Sequence, residues 1–328
     1  MDLQRRREPA VERALTLGYG SLLMTSLTAV DAAQPPSWFT AAIDTPADVG
    51  ATDVRGATIT YRAWGERGQA GLVLVHGGAA HARWWDHIAP LLAGGQRVAA
   101  LDLSGHGDSG RRDQYNLDVW AEEVLAVADA AGIEGPPVVI GHSMGGFVTL
   151  RAACIYGSRL AGAVAVDSPV QDLTLEEQAA REHLAFGPLR VYPSRAAAIS
   201  RFRPVPDQPV LPYIASHVAE TSIRPVDGGW SWKFDPRIFS RQQPVPALLT
   251  RLDCRVALFR AEHGMVSPQM GEVMYDGLGR IAPVIEVPAA GHHVMLDQPI
   301  ALVTGIRTLL SDWDHSLPAK PRPARALG

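Results

Sequence analysis

A β-branched run, Val138-Val139-Ile140, breaks directly into Gly141-His142-Ser143-Met144-Gly145-Gly146 and then into a helix-favouring stretch over residues 147–156. Glycines two residues either side of Ser143 let the chain reverse sharply between strand and helix. A Cβ at either flank would collide with the neighbouring element. The serine hydroxyl is thereby pushed above the sheet. The first amides of the helix, beginning with Met144, point toward the same spot and can stabilise an oxyanion there. The plainer alternative is a glycine-rich strand–helix turn with an incidental serine.

Around this stretch the chain alternates between buried strands and helices. Residues 57–62 alternate as an early antiparallel strand, and 72–75 read as a buried strand ending in His76-Gly77-Gly78-Ala79. A helix carrying Trp84, Trp85, Ile88 and Leu91 is expected next, then a strand over 98–101. That strand closes at Asp102 before the loop Ser104-Gly105-His106-Gly107-Asp108-Ser109. Leu117, Trp120, Val124, Val127 and Ala131 are spaced for one face of a helix. Residues 161–166 form an apolar strand ending at Asp167.

From 169 to 252 the alternation stops, and helical fragments are interrupted by Pro188, Pro193, Pro204, Pro206, Pro209, Pro212 and Pro225. This segment reads as a mainly helical cap inserted over the sheet. Alternation resumes with a strand over 255–260, a helix over 268–275, a strand over 284–287, a loop over 289–293 and a closing helix over 300–313. Repeated strand–helix units imply an α/β fold whose mostly parallel sheet is covered by helices on both faces. The expected organisation is an N-terminal extension over 1–36, a core from 37–168 and 253–315, a cap over 169–252 and a tail over 316–328.

With a formal charge of −4 and 20% charged residues, nothing marks a nucleic-acid footprint or a polybasic membrane patch. Cys154 and Cys254 are read as small core residues, not a disulfide framework. Arg5-Arg6-Arg7 ahead of an apolar run over 14–30 follows the order of a secretory signal. Gly18, Gly20, Thr25, Glu8 and Glu12 dilute it, so a surface helix or flexible extension on a cytoplasmic protein is expected, with secretion the alternative. The run is too polar for a spanning helix.

Taken together, His76-Gly77-Gly78, the Asp102 to Ser109 loop, Gly141-His142-Ser143-Met144-Gly145-Gly146 and Gly291-His292-His293 before Asp297-Gln298-Pro299 resemble the α/β-hydrolase superfamily. The resemblance implies Ser143 as nucleophile and His292, after Gly291, as its base, with adjacent His293 the alternative. It implies an oxyanion hole from the backbone amides of Gly78 and Met144. Aligned on Pro268, Gly264 stands where the superfamily's usual aspartate does, and glycine cannot orient an imidazole. Some members carry the acid one strand earlier. That place is Asp167 here, with Glu262 as the substitute and Asp253 and Asp297 less favoured. No cofactor is implied, and a metal site is disfavoured because Asp102, His106 and Asp108 lack a complete ligand set at recognised spacing.

The cap is expected to close over Ser143. Trp230 and Trp232, with Phe234 continuing their side of an extended strand, are candidate substrate contacts, as are Trp84 and Trp85; core packing or an oligomer contact is the competing reading. The implied partner is a small apolar ester or lactone, with no nucleic acid or membrane and a homo-oligomer left open. An earlier-strand acid with a serine nucleophile resembles the lactonases that open zearalenone. The alternatives are a carbon–carbon hydrolase of dienones, which the Ser143-Met144-Gly145-Gly146 run also resembles, and a hydrolase-like receptor with little turnover.

Overall fold

The structure is a computed structural model that describes residues 34–170, 189–239, 248–250 and 252–316. The chain divides into two units, Met1–Thr40 and Ala41–Gly328, and every strand belongs to the second. Residues 1–33 of the expected extension, 317–328 of the expected tail, and 171–188, 240–247 and 251 of the expected cap lie outside the described residues. Within the described residues no helix is long and apolar enough to cross a membrane.

The strands are β1 (Asp48–Val54), β2 (Ala57–Trp64), β3 (Gly71–Val75), β4 (Arg97–Leu101), β5 (Val138–His142), β6 (Gly162–Val166), β7 (Ile223–Val226), β8 (Gly229–Trp232), β9 (Arg255–His263) and β10 (Val284–Gly291). Eight of them form one sheet in the order β1-β2-β4-β3-β5-β6-β9-β10. The two pairings made by β2 are antiparallel, and all others in this sheet are parallel. Parallel neighbours need a crossover, and the helices Leu117–Ala130, Met144–Tyr156 and Pro268–Gly277 provide three of them.

Every residue of β3, β4, β5 and β6 is buried. Because side chains alternate along a strand, both faces of the central sheet are therefore covered. On one face Val73, Val75, Val139 and Ala165 share a core with Trp120, Val124 and Val127 of the helix Leu117–Ala130. That helix starts where Asn116 accepts the Val119 N–H, with Asp118 in its first turn.

The parallel arrangement sends the carboxyl ends of β3, β5, β6 and β10 to one edge of the sheet, where ligands of open α/β sheets bind. Gly78 follows β3, Ser143 follows β5, Asp167 follows β6 and His292 follows β10. The turn after β5 depends on its glycines. A Cβ on Gly141 would lie 2.1 Å from the Gly145 carbonyl oxygen, and one on Gly145 would lie 2.5 Å from the carbonyl oxygens of His76 and Val75.

Two expectations change, and β1 is additional to them. β1 carries no apolar run; it is an edge strand whose Gly50 lies under Tyr61, with the phenol oxygen 2.4 Å from where a Cβ would stand. The single helix expected through Trp84 to Leu91 is a 3-10 turn, Ala82–Trp85, followed by a separate helix Ala89–Leu92. Pro90 has no N–H to donate, so it is tolerated only in the first turn of a new helix. β10 runs on to Gly291 through a register shift between Val287 and Gly291, with Ala289 at φ 55°. The described part of the cap holds the helices Arg195–Ile199 and Pro212–Thr221, the 3-10 turn Pro236–Phe239 and the hairpin β7–β8.

Replacing Gly141 by alanine should lower the unfolding free energy by about 1–3 kcal/mol, because the added methyl meets backbone that cannot swing away. Urea unfolding of the variant beside the wild type measures this.

Candidate active site

The ladders of β6 with β5 and with β9 each carry on past the strand ends. The Ser143 N–H donates to the Val166 carbonyl at 2.9 Å, and the Asp167 N–H donates to that of Phe259 at 2.7 Å. Both residues sit in the left-handed region, Ser143 at φ 54° and Asp167 at φ 43°. Such backbone costs about 1–3 kcal/mol per residue and persists only where its surroundings fix it. Here the paired strands do so, and both side chains are turned toward the loop after β10.

His292 meets them there. Its Nδ1 lies 2.7 Å from Oδ2 of Asp167 and its Nε2 lies 3.0 Å from Oγ of Ser143. The carboxylate can only accept, so Nδ1 carries the proton, and Nε2 presents its lone pair to the serine O–H. Asp167 and His292 are both buried. The Asp167 carboxylate also accepts the backbone N–H groups of Met265 at 2.7 Å, Ala261 at 3.1 Å and Val266 at 3.3 Å. A buried carboxylate is tolerable when its oxygens are filled in this way.

Gly264 explains why the acid stands on β6. A Cβ at position 264 would lie 2.4 Å from both carboxylate oxygens of Asp167, so the bare backbone of Gly264 is the space that the carboxylate occupies. Glu262 is elsewhere. It is exposed, and its carboxylate accepts the Ala289 N–H at 2.7 Å. Asp297 takes the N–H of Gly291, the residue before His292, at 2.6 Å. Glu262 and Asp297 are thus engaged with backbone amides, and the Nδ1 of His292 is taken by Asp167.

The loop after β3 brings Gly78 beside the same spot. A Cβ there would lie 2.9 Å from the Phe239 ring and 3.8 Å from the Met144 sulfur. Ala79 follows at φ 58°. The His76 ring spans this loop and the next, donating from Nδ1 to the Gly77 carbonyl at 2.8 Å and accepting the Leu103 N–H at 3.1 Å. Asp102 ties its surroundings together by accepting the N–H groups of Ala82 at 2.7 Å and Asp108 at 2.8 Å.

Two further histidines crowd the imidazole. His142 donates from Nε2 to the His292 carbonyl at 2.8 Å, and His293 donates from Nε2 to the Val205 carbonyl at 3.0 Å. Burial holds His142 well below the usual histidine range and pulls His293 down to about 3, with the neighbouring His292 adding to both shifts. Both are therefore neutral near pH 7. One nitrogen from each of His142, His292 and His293 lies within 4.8 Å of the others, a grouping that can offer three imidazole ligands to a metal ion. Both nitrogens of His292 are already engaged, so an ion held there would draw it from Ser143 or Asp167.

The aromatic candidates separate. Trp84 packs on Phe202 and on His293, with ring centroids 6.1 and 5.5 Å apart, whereas Trp85 is fully enclosed in the core. Trp232 continues the aromatic path through Phe202 and Tyr192. Trp230, half-buried, pairs through its backbone with Tyr192 at the far end of that path. Phe234 does not extend the tryptophan side of β8. It is buried, bridged to His106 and set edge-on to Phe239. Phe202, Phe239, Tyr192 and Gln208 carry no local signal, since their contacts with distant residues form only on folding, whereas His142 stands beside Ser143 in the sequence. Cys154 and Cys254 are free thiols.

A model of the alpha/beta hydrolase family matches residues 72–305. The chain belongs to the alpha/beta hydrolase family. A similar protein is Esterase Rv0045c of Mycobacterium tuberculosis (strain ATCC 25618 / H37Rv), 27% identical over 264 residues that cover 78% of this chain and 88% of that protein. The 2-hydroxymuconate semialdehyde hydrolase of Pseudomonas sp. (strain CF600) is 36% identical over 111 residues, covering 31% of this chain and 39% of that protein. Among solved structures, the thioesterase domain from the curacin biosynthetic pathway superposes with a TM-score of 0.68 at 21% identity, covering 80% of this chain and 99% of that domain.

Burial also sets the pH response of stability. Among the described residues, desolvation depresses His76, His81, His87, His106, His142 and His293, with His76 and His87 falling to about 4. Below about pH 6.5 the unfolded chain binds protons at these histidines that the folded chain refuses, so stability drops as pH falls, by up to about 1.4 kcal/mol per pH unit and site. Asp102, Glu123 and Asp297 are raised by burial and act in the opposite sense, but they are fewer. The urea midpoint should therefore fall between pH 7 and pH 5.

Proposed function

We propose that the protein is a serine hydrolase that cleaves a bulky, largely apolar carboxylic ester or lactone through an acyl-enzyme. The observation that carries this reading is the unbroken hydrogen-bond chain from Ser143 Oγ through His292 to Asp167, at 3.0 and 2.7 Å. In this reading His292 takes the serine proton through Nε2 as Oγ attacks the carbonyl carbon. Asp167 holds the proton on Nδ1 and stabilises the imidazolium that forms. The amides of Met144 and Gly78 receive the oxyanion. His292 then protonates the leaving alcohol, and a water activated by the same nitrogen releases the acid.

Support for a bulky apolar substrate comes from the path Trp84, Phe202, Trp232 and Tyr192, which offers large apolar surface beside His293. The acid directly after β6 favours a macrocyclic lactone within that class, so zearalenone belongs in the substrate panel. The similarity to 2-hydroxymuconate semialdehyde hydrolase favours a second reading, hydrolysis of a carbon–carbon bond in a vinylogous diketone.

A fluorophosphonate probe, nitrophenyl esters of increasing acyl length and a lactone panel test these readings. Labelling of the wild type but not of Ser143→Ala, with ester or lactone turnover, is the expected result. Activity confined to vinylogous diketones would select the second reading, and an unlabelled wild type would sink both. Asp167→Asn should keep the fold and reduce kcat by about 10⁴, because the amide favours the wrong imidazole tautomer; near-normal turnover would remove Asp167 from the role.

A further inference from the structure

We propose that Gln208, from the inserted cap, is a positioning residue for His292: it clamps the residues on either side of the histidine and so ties the cap to proton transfer. The proposal rests on the hydrolase reading above. Gln208 Oε1 accepts the His293 N–H at 2.7 Å. Its Nε2 donates to Oδ2 of Asp297 at 3.0 Å and, at a longer 3.4 Å, to the His293 carbonyl. The same Asp297 oxygen accepts the Gly291 N–H at 2.6 Å. One carboxamide thus fixes His293 directly and Gly291 through a shared carboxylate.

Close packing supports the same assignment. A Cβ built on Gly291 would lie 2.9 Å from Cδ of Gln208, so the carboxamide rests against the bare backbone immediately before His292. His142 holds the carbonyl of His292 itself at 2.8 Å. The backbone is therefore pinned at three consecutive residues, and the ring is the part left to meet Ser143. A second tie, from the Leu211 N–H to the Leu296 carbonyl at 2.9 Å, joins the same two segments. Gln208 has no contact with the reacting atoms. Its effect passes through the histidine, where a misplacement of about 1 Å costs about 10²-fold in rate.

Two variants test this in the full chain. Gln208→Leu keeps the approximate size and removes all of these bonds. Its kcat on a nitrophenyl ester should fall by about 10²-fold with KM nearly constant, and fluorophosphonate labelling of Ser143 should slow to match. Gln208→Glu retains the acceptor for His293 but can donate to Asp297 only while the two carboxyl groups share a proton. Burial already lifts Asp297 to about 6, against the backbone amides of Gly291 and Gln298 and the charge of His263, which lower it. Activity of Gln208→Glu relative to wild type should therefore decline as pH rises.

Unchanged kcat in Gln208→Leu, or a Gln208→Glu ratio that is flat with pH, overturns the proposal. Amide hydrogen exchange at His293 reads the clamp without turnover: faster exchange in Gln208→Leu supports it and unchanged exchange overturns it. A wild type that is neither active nor labelled, with exchange at His293 still faster in the variant, would sink the hydrolase reading and leave the clamp standing.

Discussion

The carboxylate of Asp167 is the interaction on which the rest of the site depends. It is wholly buried, and burying a charge without partners is costly. Three backbone amides from 261–266 and the imidazole of His292 surround it instead. The constraint is mutual. The chain after β9 must wrap closely enough to aim those amides inward, and it can do so only because Gly264 has no side chain to occupy the same space. The residue that looks like a defect in the usual superfamily pattern is the clearance that the alternative pattern requires.

Strain is concentrated along the same edge. Ala79, Ser143 and Asp167 are non-glycine residues in the left-handed region, each directly beyond or close to the end of a central parallel strand. The strands beneath them are buried at every position, and a close-packed sheet has few ways to relax. Rigidity in the core is what lets strained turns present a hydroxyl, a carboxylate and backbone amides toward one place. The arrangement also keeps charge sparse. His142 and His293 are neutral through burial, and His292 is the imidazole bonded to Ser143.

The insertion supplies what the sheet does not. Its aromatic residues approach from one side, Trp84 receiving Phe202, and its Val205 carbonyl accepts a hydrogen bond from Nε2 of His293. Segment 205–211 and the loop after β10 are thus bonded at several points, while the helix Pro212–Thr221 reaches the core through His217 and Asp86 at 3.0 Å. Substrate shape and histidine placement consequently meet in one piece of chain.

The order of the central strands and helices and the turn at Ser143 were legible in the sequence, because strand periodicity and glycine spacing are local properties, whereas Asp167 and His292 stood out as candidates only through the resemblance to the superfamily. The absence of an acid at position 264 was legible too. Tertiary structure decided the matters that depend on distance through space: that Asp167, not Glu262, faces the imidazole, that Trp85 and Phe234 are packed into the core, and that Gln208 lies against Gly291. Residues far apart along the chain carry no mutual signal in a single sequence. Only the parallel sheet, by gathering its carboxyl ends at one edge, gives them an address in common.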